Sequence, residues 1–300
     1  MDSEPTILNG GRAPGHTASG EEATPPTCPD GVFNPSSYGR ARVAVVILAR
    51  NEERTIGRAV RGAAGGAHEV IVLDGCSTDQ TAAVAHEAGA EVLRDPGRGK
   101  GSAIRMAIDR LEADVLVFMD ADGSHDPHDI PRLAMPVARG EVDLCVGSRF
   151  AGGSDELSAT LPQLVRTLGN IALNVAINLR WGSSLTDTLN GFRAVRRRAA
   201  ASVGLREDRH TIEQEVVMKM LRHGYRVANV PSHEFARQHG TSHINIWREW
   251  PRFVLCVARN LVRRRAPAGF EPAPCDYLEW EVSGPSGAPA QGSVRCGECQ

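Results

Sequence analysis
The sequence predicts an α/β domain with a mostly parallel sheet flanked by helices and a more helical C-terminal part. Three observations carry that prediction. Short apolar runs alternate with segments of helical period, the connections are short, and the apolar runs end in clusters of polar residues. Val43 to Ala49 is a nearly continuous apolar run, as a strand buried on both faces requires. Residues 52–64 read as a helix and 69–73 as a second strand. Residues 81–88 are helical, 91–93 form a short strand, and 102–111 are helical again. A fourth strand over 115–119 ends at Asp120. Strands that alternate with helices in this way form a parallel sheet joined by crossovers. The sheet is expected to end near 142–148, with a more helical part following through Arg265. Residues 1–40 are rich in Gly, Pro, Ser and Thr and read as a disordered leader; 266–300 read as a similar tail. The ordered domain is expected over 41–265, with its two halves meeting at 150.

Composition narrows the function. The chain of 300 residues carries 34 basic and 36 acidic side chains, so no global field draws it to nucleic acid. Its 7 cysteines are odd in number and scattered, which fits a reduced, cytoplasmic protein rather than a disulfide framework. Only Cys296 and Cys299 have the spacing of a metal or redox pair, and they lack a second pair. The first residues show neither the basic start nor the apolar run of a secretory signal. No apolar stretch reaches the roughly 20 residues that span a bilayer.

In open α/β sheets the ligand sits beyond the carboxyl ends of the strands. The first strand delivers Arg50, Asn51, Glu52 and Glu53 there. The second delivers Asp74 to Asp79, and the fourth Asp120, Asp122, Ser124 and His125. Asp79 precedes a helix and reads as a cap. The pair Asp120 and Asp122 is the sharpest signal, because alternate residues leaving a strand point to one side. Two carboxylates so placed suit one hard cation, Mg²⁺ or Mn²⁺, with open positions for the oxygens of a diphosphate. The plainer reading is two aspartates solvated at a turn.

The glycine-rich run Gly97-Arg-Gly99-Lys100-Gly101-Ser follows the third strand and lacks the spacing of a phosphate loop. Lys100 reads either as a phosphate contact or as a solvated lysine in a tight turn. The first strand-to-helix turn carries no glycine, which argues against a dinucleotide-dependent dehydrogenase.

Taken together, these segments resemble the family 2 glycosyltransferases of GT-A fold, a Rossmann-like architecture, and in particular the dolichyl- and polyprenyl-phosphate hexose synthases. The resemblance lies in Ala49 to Glu53, Val72 to Thr81, Gly99 to Gly101, Asp120 to His125 and Gly147 to Arg149. It continues through Asp187 to Arg193 and Ala236 to Ser242. It implies a nucleotide-binding half over 41–150 and an acceptor half over 151–265. It also implies that Glu52 and Asp74 hold the nucleobase or ribose, with Arg50 and Lys100 beside the nucleotide. Asp120 and Asp122 then match the metal and diphosphate site, and Arg149 and Arg237 match arginines that face phosphates, for which a guanidinium fork is suited. Asp187 opens the acceptor segment, either as a catalytic group or as a cap. Glu213 and Glu215 read equally as acceptor-side carboxylates or as first-turn helix charges. The chain departs from the family at Leu48 and Arg50, where proline and tyrosine are frequent, and at Ser124, Asn190 and His243. The nucleobase is therefore not named.

The reaction implied is inverting transfer from a nucleotide-diphospho-sugar donor, most simply to a polyprenyl phosphate at the cytoplasmic face of a membrane. Such an acceptor oxyanion needs no base. Transfer to a hydroxyl of a soluble or cell-envelope acceptor would need one, and Asp187 is the first candidate. A non-catalytic nucleotide-sugar-binding protein is the reading from another class. Residues 247–265 place apolar side chains at a helical period with arginines on another face. Such a helix suits peripheral membrane contact, or packing against its own domain or a second subunit.

Overall fold
The computed structural model describes residues 33–155, 161–237 and 246–262. Seven strands form one sheet: β1 (Val43–Ala49), β2 (Glu69–Asp74), β3 (Glu91–Arg94), β4 (Val115–Asp120), β5 (Leu144–Ser148), β6 (Arg193–Arg196) and β7 (Val227–Pro231). Their order is β3-β2-β1-β4-β6-β5-β7, parallel except that β6 runs antiparallel to both of its neighbours. The mostly parallel α/β sheet expected from the sequence is present.

The side-chain alternation of the strands builds two layers. Val43, Val45, Ile47 and Ala49 face one core, which they share with α1 (Ile56–Ala64) and α4 (Ile130–Ala138). Ala44 and Val46 face the other, shared with α3 (Lys100–Arg110), α7 (Arg197–Ser202) and α8 (Ile212–Arg222). Burial on both faces is why β1 carries no polar residue. The helix expected from Glu52 begins at Ile56. Before it the Glu52 carbonyl accepts the N–H groups of Thr55 (3.1 Å) and Ile56 (2.9 Å), which makes a turn.

The sheet does not end at Ser148. After the short α5 (Arg149–Gly152) and α6 (Leu161–Trp181), the chain returns as β6 between β4 and β5, and β7 later pairs with β5. The four residues of β6 begin and end with arginine, which hides them from a search for apolar runs. Arg193 is nonetheless buried, because its guanidinium donates to the carbonyls of Glu213 (2.7 Å) and Asn190 (3.0 Å). The C-terminal α9 (Ile246–Val262) packs on α8 and α6 around Leu173, Ile177, Met218, Cys256 and Val257. Its described apolar face thus rests partly on its own domain, and Arg259 faces Glu207 at 3.7 Å. The side chains of Trp247 and Trp250, residues 263–265, and the Cys296–Cys299 pair lie outside the described residues. Among the described residues no helix is long and apolar enough to cross a membrane.

Candidate active site
Register brings the polar strand ends level. Ala49 of β1 lies opposite Asp74 of β2, and Leu48 opposite Asp120 of β4. Beyond them opens a cleft of about 600 Å³. Of the residues singled out from the sequence, Arg50, Glu52, Lys100, Asp120, Asp122, Arg149 and Arg237 line it.

One wall is made by the loops after β1 and β2, which are stitched together through backbone groups. Asn51 (φ 57°) donates its N–H to Ser77 Oγ (2.9 Å) and accepts the Thr78 N–H at Oδ1 (2.8 Å). The Glu52 N–H reaches Thr81 Oγ1 (2.8 Å), the Glu53 N–H reaches Asp79 Oδ2 (3.3 Å), and Glu53 Oε2 accepts the Gln80 N–H (3.1 Å). Asp79 also accepts the Thr81 N–H (3.0 Å), an Asx turn just ahead of α2 (Thr81–Glu87), whose N-cap position is Gln80 rather than Asp79. Asp74 is buried and accepts the Ser77 N–H at 3.2 Å. Its neighbours Leu73 and Gly75 line the cleft instead, so Asp74 is set behind the wall rather than on it.

The end of β4 is organised by cations. Lys100 Nζ lies 2.7 and 2.9 Å from the two oxygens of Asp120 and 2.8 Å from Glu213 Oε1. Burial alone would raise the Asp120 carboxyl, but Lys100 overrides it and holds the group at about 2. Asp122 accepts the Ser124 N–H (3.0 Å) and hydroxyl (2.7 Å) on one oxygen, and its other oxygen faces Arg237 Nη2 at 2.8 Å. Arg237 also comes within 4.0 Å of Glu52. Burial, with Asp122 close by, pushes the Glu52 carboxyl above its ordinary range. His125 accepts the Asp120 N–H at Nδ1 (3.2 Å) and stacks on Phe192, and burial lowers its pKa.

The two carboxylates expected to face one cation are each paired with a cationic side chain of the protein here. Asp122 lies beyond the strand, in a turn that includes Gly123 (φ 80°), and the two carboxylates meet two different cations. Lys100 reaches Asp120 because the glycines beside it allow close packing. A Cβ on Gly101 would lie 2.3 Å from the Glu207 carbonyl, and one on Gly99 2.7 Å from that of Asp208. This run is a packing seam, and Lys100 is not a solvated lysine but a paired side chain that lines the cleft.

The opposite wall centres on Arg149. Its Nε and Nη2 donate to Asp187 at 2.6 and 3.1 Å, and Nη1 lies 3.5 Å from Glu234. Asp187 has no exposed surface and also accepts the N–H of Leu189 (3.1 Å). Burial would raise its carboxyl, yet Arg149 holds it below the usual range. Asp187 thus stands behind the cleft, paired with Arg149. Glu215 pairs with Lys219 (2.6 Å) inside the fold, whereas Glu213 reaches the cleft.

No group of three or more metal-ligating side chains is present among the described residues. The donor chemistry nonetheless fits a hard cation. Asp122 presents a carboxylate oxygen to the cleft, and the Arg237 guanidinium stands there as a cation between Asp122 and Glu52. Magnesium is commonly held by one or two carboxylates plus substrate phosphates rather than by an all-protein cage.

A family model, Glycosyl transferase family 2, matches residues 44–204, which include β1 to β6 and most of the cleft. The chain belongs to glycosyl transferase family 2. Glycosyltransferase AglJ of Haloferax volcanii is 33% identical over 177 residues, 59% of this chain and 57% of AglJ. The match thus spans little more than half the length of that relative. A Haloferax volcanii dolichyl-phosphate hexose transferase is 30% identical over 192 residues, 63% of this chain and 81% of that protein. The structure of glucosyl-3-phosphoglycerate synthase from Mycobacterium tuberculosis, solved with Mn²⁺, UDP and phosphoglyceric acid, superposes with a TM-score of 0.62. It is 20% identical, over 80% of this chain and 84% of that one, and the likeness supports the GT-A fold alone.

The family 2 cleft also contains Glu234 and His210, which the sequence reading did not single out. Glu234 and Arg237 follow β7, and recognising that strand would have flagged both by the strand-end rule. His210 lies in the connection before α8, where no periodic signal points to it.

Proposed function
We propose that this chain transfers a sugar, with inversion, from a nucleotide-diphospho-sugar to the phosphate of a polyprenyl phosphate at the cytoplasmic face of a membrane, with Mg²⁺ or Mn²⁺ held at Asp122. The observation that supports this acceptor is the state of the carboxylates on the acceptor side. Asp187 and Glu234 pair with Arg149, and Glu213 pairs with Lys100. None of the three stands ready as a base, and an acceptor phosphate needs none. The similarity to a dolichyl-phosphate hexose transferase supports the same choice.

In this reading the acceptor oxyanion attacks the anomeric carbon from the side opposite the diphosphate. The carbon–oxygen bond to the diphosphate breaks, its electron pair leaves with the nucleoside diphosphate, and no proton moves. A bound divalent cation supplies charge neutralisation on the leaving diphosphate. Arg237, released from Asp122, and Arg149, held in place by Asp187, present N–H forks to phosphate oxygens. Glu52 and Arg50, on the stitched wall, face the nucleoside, with Asp74 bracing them from behind. Asp120 acts through Lys100, fixing the floor beneath the diphosphate.

The test is transfer of labelled sugar from UDP-, GDP- and dTDP-sugars in the presence of Mn²⁺, offered to polyprenyl phosphate and to hydroxyl acceptors side by side. Label is expected in the organic phase with polyprenyl phosphate. Label only in hydroxyl-linked products would replace the lipid acceptor with a soluble one, and no turnover of any donor would overturn the enzymatic reading.

A further inference from the structure
His125 carries a hydrogen-bond donor that the fold leaves unused. A backbone N–H can only donate, so the bond from the Asp120 N–H to His125 Nδ1 (3.2 Å) puts a lone pair on Nδ1. The ring is therefore neutral and holds its proton on Nε2. Burial, which disfavours the charged ring, acts in the same direction. The ring plane is fixed as well, because it stacks on Phe192 with centroids 4.9 Å apart and 11° between the rings. Nε2 has no hydrogen-bond partner among the described residues, and it is not one of the polar atoms sealed from solvent. His125 is only 6% exposed and lines the cleft, so the Nε2–H opens into it. A buried donor without a partner is costly, and a ligand oxygen in the cleft would relieve that cost.

The surroundings of this donor select its ligand. His125 and Glu234 form an isolated antiparallel β-bridge, and beside it the Phe235 N–H donates to the Ser124 carbonyl (2.9 Å). Residues paired across such a bridge project to the same side, and Glu234 lines the cleft with His125. One oxygen of Glu234 accepts the Ser154 hydroxyl at 2.9 Å, and the other lies 3.5 Å from Arg149 Nη1. A carboxylate has about four lone-pair sites, so acceptor capacity remains. Asp120 and Asp122 add negative charge around the ring, opposed by Lys100. A phosphate only accepts hydrogen bonds and is repelled by carboxylates. A hydroxyl both accepts and donates, so it can take the His125 N–H and give a hydrogen bond to Glu234.

We propose that His125 and Glu234 read a hydroxyl of the transferred sugar, His125 as donor to it and Glu234 as acceptor from it, and so determine which sugar the cleft takes. This deepens the function proposed above and rests on its nucleotide-sugar donor, though not on its acceptor. His125 is anchored at the end of β4 and Glu234 beside Arg149, so the pair joins the diphosphate side of the cleft to the acceptor wall. No proton is transferred, because Nδ1 is engaged by the Asp120 N–H and the ring has no second site to relay through. A site built to hydrogen-bond a substrate hydroxyl rejects the analogue that lacks it, since the buried polar groups are then left unpaired.

Isothermal titration calorimetry of the full chain with Mn²⁺ tests the proposal. The ligands are UDP-glucose, UDP-N-acetylglucosamine, GDP-mannose and dTDP-glucose, each beside its nucleoside diphosphate. His125→Asn keeps an oxygen for the Asp120 N–H and removes the donor. It is expected to weaken the nucleotide-sugar about ten-fold, the scale of one hydrogen bond, and to change the nucleoside diphosphate by no more than about two-fold. His125→Gln, whose amide N–H can stand in for the Nε2–H, is expected to lose less. Equal weakening of both ligands would mark His125 as structural and overturn the proposal. Monodeoxy analogues of the tightest-bound sugar test the wild type without relying on a variant. At least one position is expected to cost about ten-fold, and that penalty should fall to about two-fold or less in His125→Asn. A wild type that binds a nucleoside diphosphate and discriminates no hydroxyl, or a penalty unchanged in the variant, overturns this inference alone. Binding of no nucleotide overturns the proposed function as well.

Discussion

Two acidic clusters end the two strands that flank β1, and they are put to different uses. At the end of β2, Asp74 and Asp79 accept N–H groups from Ser77, Thr81 and Glu53. At the end of β4, Asp120 and Asp122 face the cationic side chains of Lys100 and Arg237. A carboxylate bound to backbone N–H groups fixes a loop and has little capacity left for a ligand. One bound to a mobile cationic side chain can exchange that cation for another. The identity of the partner, more than the acidic residue itself, separates scaffold from site.

The largest effect expected is at Asp187, where the two uses merge. It is fully buried yet paired with Arg149, and breaking a buried pair by removing one partner costs about 3–5 kcal/mol. Asp187→Ala should therefore lower stability and transfer together, as read by chemical denaturation and by turnover. Loss of turnover at unchanged stability would make it a catalytic group after all.

Next in size is Asp122→Asn. Turnover should fall by about 10²–10³-fold, the scale of losing one electrostatic contact to the transition state, while denaturation changes little. By contrast Asp79→Ala should cost about 0.5–1.5 kcal/mol of stability, the scale of a lost hydrogen bond in the loop, and leave the turnover of folded protein near wild type. A large catalytic defect in the folded Asp79 variant would erase the distinction between the clusters.

The smallest effect concerns pH and the segment that carries Arg237. Asp155 accepts the Ala236 N–H (2.9 Å) and faces His233 Nε2 at 3.0 Å. The bond to Asp155 raises the pKa of His233 above its ordinary 6.5. Because the folded value is the higher one, the stabilisation is complete below 6.5 and is lost as pH rises through the folded value. Thermal melts of the wild type should show a shallow decline over that window, and His233→Gln should flatten it.

How much of this was legible in the sequence depended on the kind of signal. The first four strands announced themselves, because burial on both faces leaves runs such as Val43 to Ala49 without polar residues. β6 and β7 escaped, since one is bounded by arginines and the other is only half-buried. The polar strand ends were visible, and so were most residues lining the cleft. Their pairing was not, because Lys100 and Asp120 are twenty positions apart and Arg237 and Asp122 more than a hundred. The period-two argument for Asp120 and Asp122 does not apply strictly, because β4 ends at Asp120 and Asp122 lies in the turn that follows. Asp187 was visible as part of a motif, but its lack of exposed surface belongs to the packing of Arg149 above it.

The contrast between the clusters can be tested without any knowledge of the acceptor. Mn²⁺ binding followed by electron paramagnetic resonance, in the presence of a nucleoside diphosphate, reads out the β4 cluster directly. Wild type and Asp79→Asn should bind the ion with similar affinity, and Asp122→Asn should not bind it. Equal binding by all three proteins, or loss confined to Asp79→Asn, would contradict the assignment of the site to the end of β4.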